Sequence, residues 1–245
     1  MTRPGVLIRT ERIPYREAWD VQRRLAAARA AGEVPDVLWV LEHPPTYTAG
    51  RHGTRDDLHV PDATLEAAGA EFVEVDRGGQ MTWHGPGQSV LYGICDLRPG
   101  RRVRAYVEAM VGAMRDAAAV PGAAAGDDAM GLYVRGRKLG SVGIRVSAGI
   151  TTHGLALNRD PDLDWFALMT ACGAPGVAAT SIAAEGGDPD RIRVDTALAT
   201  SMAASLDLRL EEVPLGTLLD TTDPGEPHTQ TPGGPMRAPA SRRPR

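Results

Sequence analysis

The stretch Arg77-Gly-Gly-Gln-Met-Thr-Trp-His-Gly-Pro-Gly-Gln88 carries four glycines, one histidine and two carboxamides within twelve residues. Glycines let main-chain N–H groups approach a ligand that a Cβ would hold away. A plain turn has little use for Arg, Thr, Trp and His between its glycines, so the composition favours ligand contact over turn chemistry. Three further segments carry reactive types. Gly136-Arg-Lys-Leu-Gly-Ser-Val-Gly143 sets Lys138 at the start of a strand, Thr152-His-Gly-Leu-Ala-Leu-Asn158 sets His153 on another, and Ala171-Cys-Gly-Ala-Pro175 sets a thiol before a glycine and a proline. Singly, each has a structural alternative: a buried hydrophobe for Cys172, an exposed charge for Lys138, a satisfied core group for His153.

These segments need elements to hold them, and the chain alternates helix and strand patterns. Residues 15–31 predict a helix with Pro14 at its first turn and Gly32 as its stop. Residues 102–118 predict a second, with Val103, Tyr106, Val107, Met110, Met114 and Ala117 spaced by three and four on its packed side. Helices are also expected over 163–170 and 195–206, the latter capped by Asp195. Strands are expected at 37–41, 71–75, 89–94 and 151–157, the second and third flanking the glycine-rich segment as a loop. Residues 130–146 predict a β-hairpin turning at Arg135-Gly-Arg137. Residues 221–245 hold six prolines and almost no large apolar residue, so a disordered tail is expected after a single domain spanning 1–220.

Composition narrows the partners. The 245 residues, 42% apolar and 24% charged, suffice for one substantial core. A net charge of −4 without a basic stripe argues against nucleic acid. No apolar run reaches membrane-span length, and the first residues lack a signal-peptide core, so a cytoplasmic protein without membrane attachment is expected. Cys95 and Cys172 form no Cys-x-x-Cys pair, which fits reduced thiols and no metal site. A monomer is the default.

In this order the segments, preceded by Leu41-Glu-His-Pro-Pro-Thr-Tyr-Thr-Ala-Gly-Arg51, resemble the lipoyl(octanoyl) transferase family. The resemblance runs from Leu41 to about Ser181. It implies an α/β (α+β) catalytic domain of the biotin/lipoate protein ligase type, a mixed, largely antiparallel sheet with flanking helices. It implies octanoyl transfer from octanoyl-acyl carrier protein to a lysine of lipoyl domains, those of 2-oxoacid dehydrogenase E2 subunits and of glycine cleavage H protein, with no cofactor. By the same resemblance Cys172 is the acyl-thioester nucleophile and Lys138 its partner. Arg77, Gly78, Gly79, Gln80, Met81, Thr82, Trp83, His84, Ser141, Val142, Gly143, Gly154, Leu155 and Ala156 would line the acyl substrate, with His153 and Arg51 as accessory residues. The chain departs from the family pattern at Trp83, at Gly93 where proline is usual, and at Met130-Gly-Leu-Tyr133; the first two imply an altered pocket wall.

The residue types suit that chemistry. Exchange between thioesters is close to balanced, so no ATP is required, and no Walker-type loop is present. An ordinary thiol is only a few per cent thiolate at neutral pH, and a neighbouring cation such as Lys138 raises the reactive fraction. Once the sulfur is acylated, the same lysine loses that ion pair and becomes a better base toward the incoming amine. Backbone N–H groups of the glycine-rich segment, helped by the His84 side chain, would face the developing oxyanion. A Cys–His dyad using His84 or His153 is the competing mechanism. The competing functions are an ATP-dependent lipoate or biotin-type ligase and a non-catalytic acyl-binding module.

Overall fold

The computed structural model describes residues 2–98, 100, 102–127, 130–170 and 177–221. Its elements are β1 (Arg3–Arg12), α1 (Tyr15–Ala31), β2 (Asp36–Glu42), β3 (Thr46–Ala49), α2 (Asp62–Ala67), β4 (Glu71–Glu74), β5 (Met81–His84), β6 (Gln88–Ile94), α3 (Val103–Ala118), β7 (Ala124–Ala125), β8 (Gly131–Val134), β9 (Arg137–Ser147), β10 (Ile150–Asn158), α4 (Asp164–Ala167), α5 (Arg191–Ser205), β11 (Leu208–Glu212) and α6 (Leu215–Thr221). The main sheet runs β11-β1-β2-β6-β10-β9-β8-β7, and β4-β3-β5 form a second, smaller sheet. β1 pairs in parallel with β11 and β2, and the rest of the main sheet is antiparallel, as the resemblance implied.

Alternation along the central strands divides the core. Leu38 and Val40 of β2, Leu91 of β6, and Leu155 and Leu157 of β10 face α3 and α5, where they meet Met110, Met114, Leu198 and Met202. Val37, Trp39, Leu41, Val90 and Tyr92 face the other way, toward Ala18, Val21 and Leu25 of α1. Each fully buried Leu or Met on these faces contributes on the order of 1.5–3 kcal/mol of transfer free energy, an upper figure. α1 keeps its expected bounds because Gly32, at φ 81°, closes the last turn while Glu33 N–H returns to Ala28 O at 3.0 Å.

Arg135 and Gly136 take φ of 48° and 76°, the two positive values that a tight two-residue hairpin demands, so β8 and β9 join where the sequence places the turn. A second such pair, Ala148 and Gly149, joins β9 to β10.

Several expectations change. Residues 77–88 do not form one loop between strands of a sheet: Met81–His84 is strand β5, paired with β3 in the small sheet, while β6 belongs to the main one. The segment is therefore the bridge between two sheets. The helix expected over 163–170 contracts to Asp164–Ala167. Tertiary partners take its later carbonyls: Tyr47 Oη–H donates to Trp165 O at 2.7 Å and His59 N–H to Leu168 O at 2.8 Å. Asp195 is no cap either. α5 starts at Arg191 with Asp190 accepting from Arg193 N–H at 2.8 Å, while Asp195 lies buried one turn on, taking the Ser89 hydroxyl proton at 2.5 Å. Burial raises the Asp195 pKa against that bond and the nearby Arg191. β1, β3, β7, β11, α2 and α6 carry no prediction. The expected tail falls, from residue 222 on, outside the described residues.

Candidate active site

Between the α1 side of the main sheet and the small sheet lies a cavity of about 260 Å³. β9 gives it Lys138, Ser141, Val142 and Gly143, and β10 gives His153, Gly154, Leu155 and Ala156. The bridging segment adds Arg77, Gly79, Gln80, Met81, Thr82 and His84. The sequence thus placed most of its candidates around one space. It did not indicate Tyr15, His52, Val90, Tyr92 and Met130, which also line it. Gly78, Trp83 and Arg51 are elsewhere. Gly78 N–H is taken by Ile144 O at 2.8 Å, and Arg51 is exposed with its Nε on Asp76 O at 3.1 Å. Trp83 turns away from the cavity to stack on Trp165, with ring centroids 5.8 Å apart, and meets Phe166 edge-on.

Gly93 lies off the cavity wall as well. It faces α3, where an added Cβ would sit 2.1 Å from Tyr106 Oη, so the bulk of that tyrosine accounts for a residue without a side chain. Gly131, in the other departing stretch, abuts Lys138: a Cβ there would be 3.0 Å from the lysine Cε. The Lys138 ammonium stands 5.4 Å from the centre of the Tyr133 ring.

Lys138 is itself buried, at 8% exposure. Its backbone is pinned on both sides, N–H to Ala178 O at 2.8 Å and C=O from Thr180 N–H at 2.9 Å. Glu185 accepts from the Thr180 hydroxyl at 2.6 Å and pairs with Arg137 at 2.6 Å, tying that segment to the lysine's strand. Beside Lys138, Ser141 and Thr82 a second, much smaller cavity opens, lined also by Met169, Val177, Gln88 and Asn158. Met169 and Val177 stand on either side of residues 171–176, so Cys172 lies outside the described residues.

The opposite part of the wall is a buried cluster of aromatic and polar groups. His153 holds φ 60°, a left-handed value that costs a non-glycine residue on the order of 1–3 kcal/mol. Three bonds hold it there. Gln22 Oε1 takes its backbone N–H at 2.6 Å, Asp76 contacts Nε2 at 2.9 Å, and Tyr15 Oη–H reaches Nδ1 at 3.3 Å. Burial, with Arg77 and Arg145 close by, pushes its pKa down to about 3. Asp76 does not reverse this because Arg145 pairs with it. A neutral ring then donates Nε2–H to Asp76 and accepts at Nδ1. His43, held by burial at about 4, donates Nδ1–H to Ile13 O at 2.7 Å and accepts from Tyr92 Oη–H at 2.6 Å. The Tyr15 ring stacks on His84, centroids 5.6 Å apart. Arg77 is no surface cation: its guanidinium donates to Thr48 O at 2.8 Å, Thr48 Oγ1 at 2.7 Å and Gly78 O at 3.0 Å.

One end of the space therefore holds a buried lysine, the middle is apolar through Met81, Val90 and Ala156, and the floor is aromatic with its polar atoms largely satisfied from within. Such a space suits an alkyl chain with a reactive polar head. Among the described residues no cluster of side chains could hold a metal ion, and no helix is long and apolar enough to cross a membrane.

Residues 14–203 match the lipoyl protein ligase A/B catalytic domain family. The octanoyltransferase of Roseiflexus sp. (strain RS-1) is 45% identical over 188 residues, 72% of this chain and 76% of its own. That of Alkalilimnicola ehrlichii is 46% identical over 171 residues, 69% of this chain and 76% of its own. Among solved structures, a putative lipoate protein ligase from T. acidophilum with bound lipoic acid superposes at a TM-score of 0.68 over 89% of this chain and 95% of its own. Lipoate-protein ligase A bound with ATP reaches 0.69 over 91% and 95%. At 15% and 14% identity these two carry the fold alone.

Proposed function

The chain belongs to the octanoyltransferases, within the lipoyl protein ligase A/B catalytic domain family, and on that premise we propose that it moves an octanoyl group from octanoyl-acyl carrier protein, through a Cys172 thioester, to a lysine of lipoyl domains. The observation that carries the reading is the cavity, whose wall brings apolar Met81, Val90 and Ala156 together with buried Lys138, while Met169 and Val177, on either side of residues 171–176 in the chain, line a smaller cavity that Lys138 also borders. In the first half-reaction the Cys172 thiolate attacks the donor thioester, and the carrier's sulfur leaves as a thiol with the proton that Lys138 releases, which leaves the lysine neutral. A protonated Lys138 beside the sulfur raises the thiolate fraction. In the second, the acceptor lysine's nitrogen bonds to the acyl carbon, the carbon–sulfur bond breaks, and Cys172 is regenerated. Lys138 then receives the proton that the attacking ammonium loses. Lipoyl domains of 2-oxoacid dehydrogenase E2 subunits and glycine cleavage H protein are the acceptors proposed.

Incubation with octanoyl-acyl carrier protein, followed by intact-mass measurement, tests this. A single octanoyl adduct that disappears in Cys172→Ser is the expected result. Use of free octanoate that depends on ATP, with no adduct, would replace the reading by that of a ligase.

A further inference from the structure

His84 points its ring along the cavity wall, and the direction of its hydrogen bonding is set by a chain of side chains behind it. Its Nδ1 is 2.8 Å from Gln88 Oε1. Gln88 Nε2 donates to Trp83 O at 3.2 Å and to Asn158 Oδ1 at 2.9 Å, and Asn158 Nδ2 donates to Thr180 O at 2.9 Å. Trp83 O and Thr180 O are backbone carbonyls and can only accept. Asn158 must therefore turn its amide nitrogen to Thr180, which leaves its oxygen for Gln88. Gln88 must turn its nitrogen to Trp83 and Asn158, which leaves its oxygen for His84. Flipping either amide sets oxygen against oxygen in a buried place, at a cost of about 1–3 kcal/mol per unsatisfied group. Only a protonated Nδ1 satisfies Gln88 Oε1.

We infer that His84 is locked with its proton on Nδ1 and offers the Nε2 lone pair to the cavity as a hydrogen-bond acceptor, which orients the acceptor lysine's amine. Gln88 and Asn158 are the positioning residues that fix this state. This corrects the expectation that the His84 side chain helps hold an oxyanion: an oxyanion needs donors, and the neutral ring's one N–H is already committed to Gln88. No described group hydrogen-bonds Nε2. Burial, with His43 and Arg77 nearby, holds the ring's pKa well below the usual histidine value, against the Gln88 bond that raises it, so the acceptor persists at neutral pH.

The inference rests on the proposed octanoyl transfer and separates its two halves. An acceptor has nothing to bind while thiolate displaces thiol, since neither sulfur brings an N–H. It has a partner when the amine arrives, because the nitrogen must keep its lone pair aimed at the acyl carbon while its hydrogens are held elsewhere. The assignment concerns the amine's orientation, and the proton still leaves through Lys138.

Ring-nitrogen NMR of the ¹⁵N-histidine-labelled full chain, with the His84 signal identified by its loss in His84→Asn, tests the locked state directly. Protonated Nδ1 and bare Nε2 from pH 6 to 8 is expected; a protonated Nε2 or a cationic ring overturns the inference. In Gln88→Met the Nδ1 partner is lost and a signal from protonated Nε2 should appear. Aminolysis of isolated octanoyl-enzyme by a lipoyl domain should then slow by roughly tenfold, the loss of about one hydrogen bond, while thioester formation stays within about twofold. Equal slowing of both half-reactions, or of neither, overturns the role. Asn158→Ala, which leaves Gln88 anchored by Trp83 O alone, should show the same pattern with a smaller change. Failure of wild-type enzyme to form any octanoyl adduct would instead overturn the proposed function, and the NMR result would stand apart from it.

Discussion

The two faces of β6 and β10 are built from neighbouring residues and do opposite things. Toward α3 and α5, Leu91, Leu155 and Leu157 meet Met110, Met114 and Leu198 in closed apolar packing. Toward α1 and the small sheet, Val90, Tyr92, Gly154 and Ala156 leave a cavity and border a cluster of neutral histidines and tyrosines. Because strand side chains alternate, one face can be optimised for density while the other is shaped for a ligand, at little cost of one to the other. The cavity face bears polar groups that a core ordinarily rejects, and it tolerates them by saturating most of their hydrogen bonds from within.

The sharpest way to break the contrast is at the charged end of the cavity. Lys138→Ala should lower overall octanoyl transfer by roughly 100- to 10,000-fold. Lys138→Arg should recover much of thioester formation but little of the transfer to the amine, because arginine keeps its charge yet does not release its proton. Intact-mass kinetics of the two half-reactions read this directly, and full turnover by the arginine variant would remove Lys138 as base. The packed face should answer differently. Leu198→Ala should cost about 2–5 kcal/mol in urea unfolding and leave the rate per folded molecule unchanged.

Acid should separate the faces next. Burial holds His43 at about 4 and His153 at about 3, whereas the unfolded chain titrates near ~6.5. Between those values the unfolded chain binds protons that the native state refuses, so stability falls as pH drops below ~6.5, by up to about 1.4 kcal/mol per pH unit for each histidine. The urea midpoint measured from pH 7 to pH 5 should decline accordingly; a flat midpoint would mean that these rings charge without unfolding. The smallest effect is expected at the cavity's apolar middle. Ala156→Val adds bulk there and should lower kcat/KM for octanoyl relative to hexanoyl donors by about tenfold, within the roughly 1–3 kcal/mol that one methylene is worth in a pocket.

Much of this arrangement is legible in the chain, and the parts that are not share a cause. The long helices and the β8–β9 turn carry local signals: three-and-four spacing, a stop at Gly32, a positive-φ pair at Arg135 and Gly136. The candidate residues are legible because the glycines, Lys138 and His153 sit in ordered motifs. β5 hides inside the glycine-rich segment, because Met81–His84 has too few residues for periodicity to distinguish strand from loop. The contraction of α4 was equally hidden, since Tyr47 and His59, which claim its carbonyls, are over a hundred residues away. Of the residues the sequence did not mark, Gln88 and Asn158 had one usable signal. Each is a carboxamide at the end of a buried strand, a position that burial permits only when every polar atom is bonded.

The sequence by itself determined the family, the central strands and two long helices, and most of the residues that gather around the cavity. Local propensity and motif order depend on neighbours along the chain, so they survive without a fold. Only the tertiary structure decided that residues 77–88 bridge two sheets, that Trp83 and Gly93 stand off the cavity, that Arg77 is an internal brace, and that the Asn158–Gln88 chain sets a carboxamide oxygen against His84 Nδ1. Each of those depends on groups far apart in sequence competing for the same hydrogen bond or the same space, and that competition exists only once the chain has closed around it.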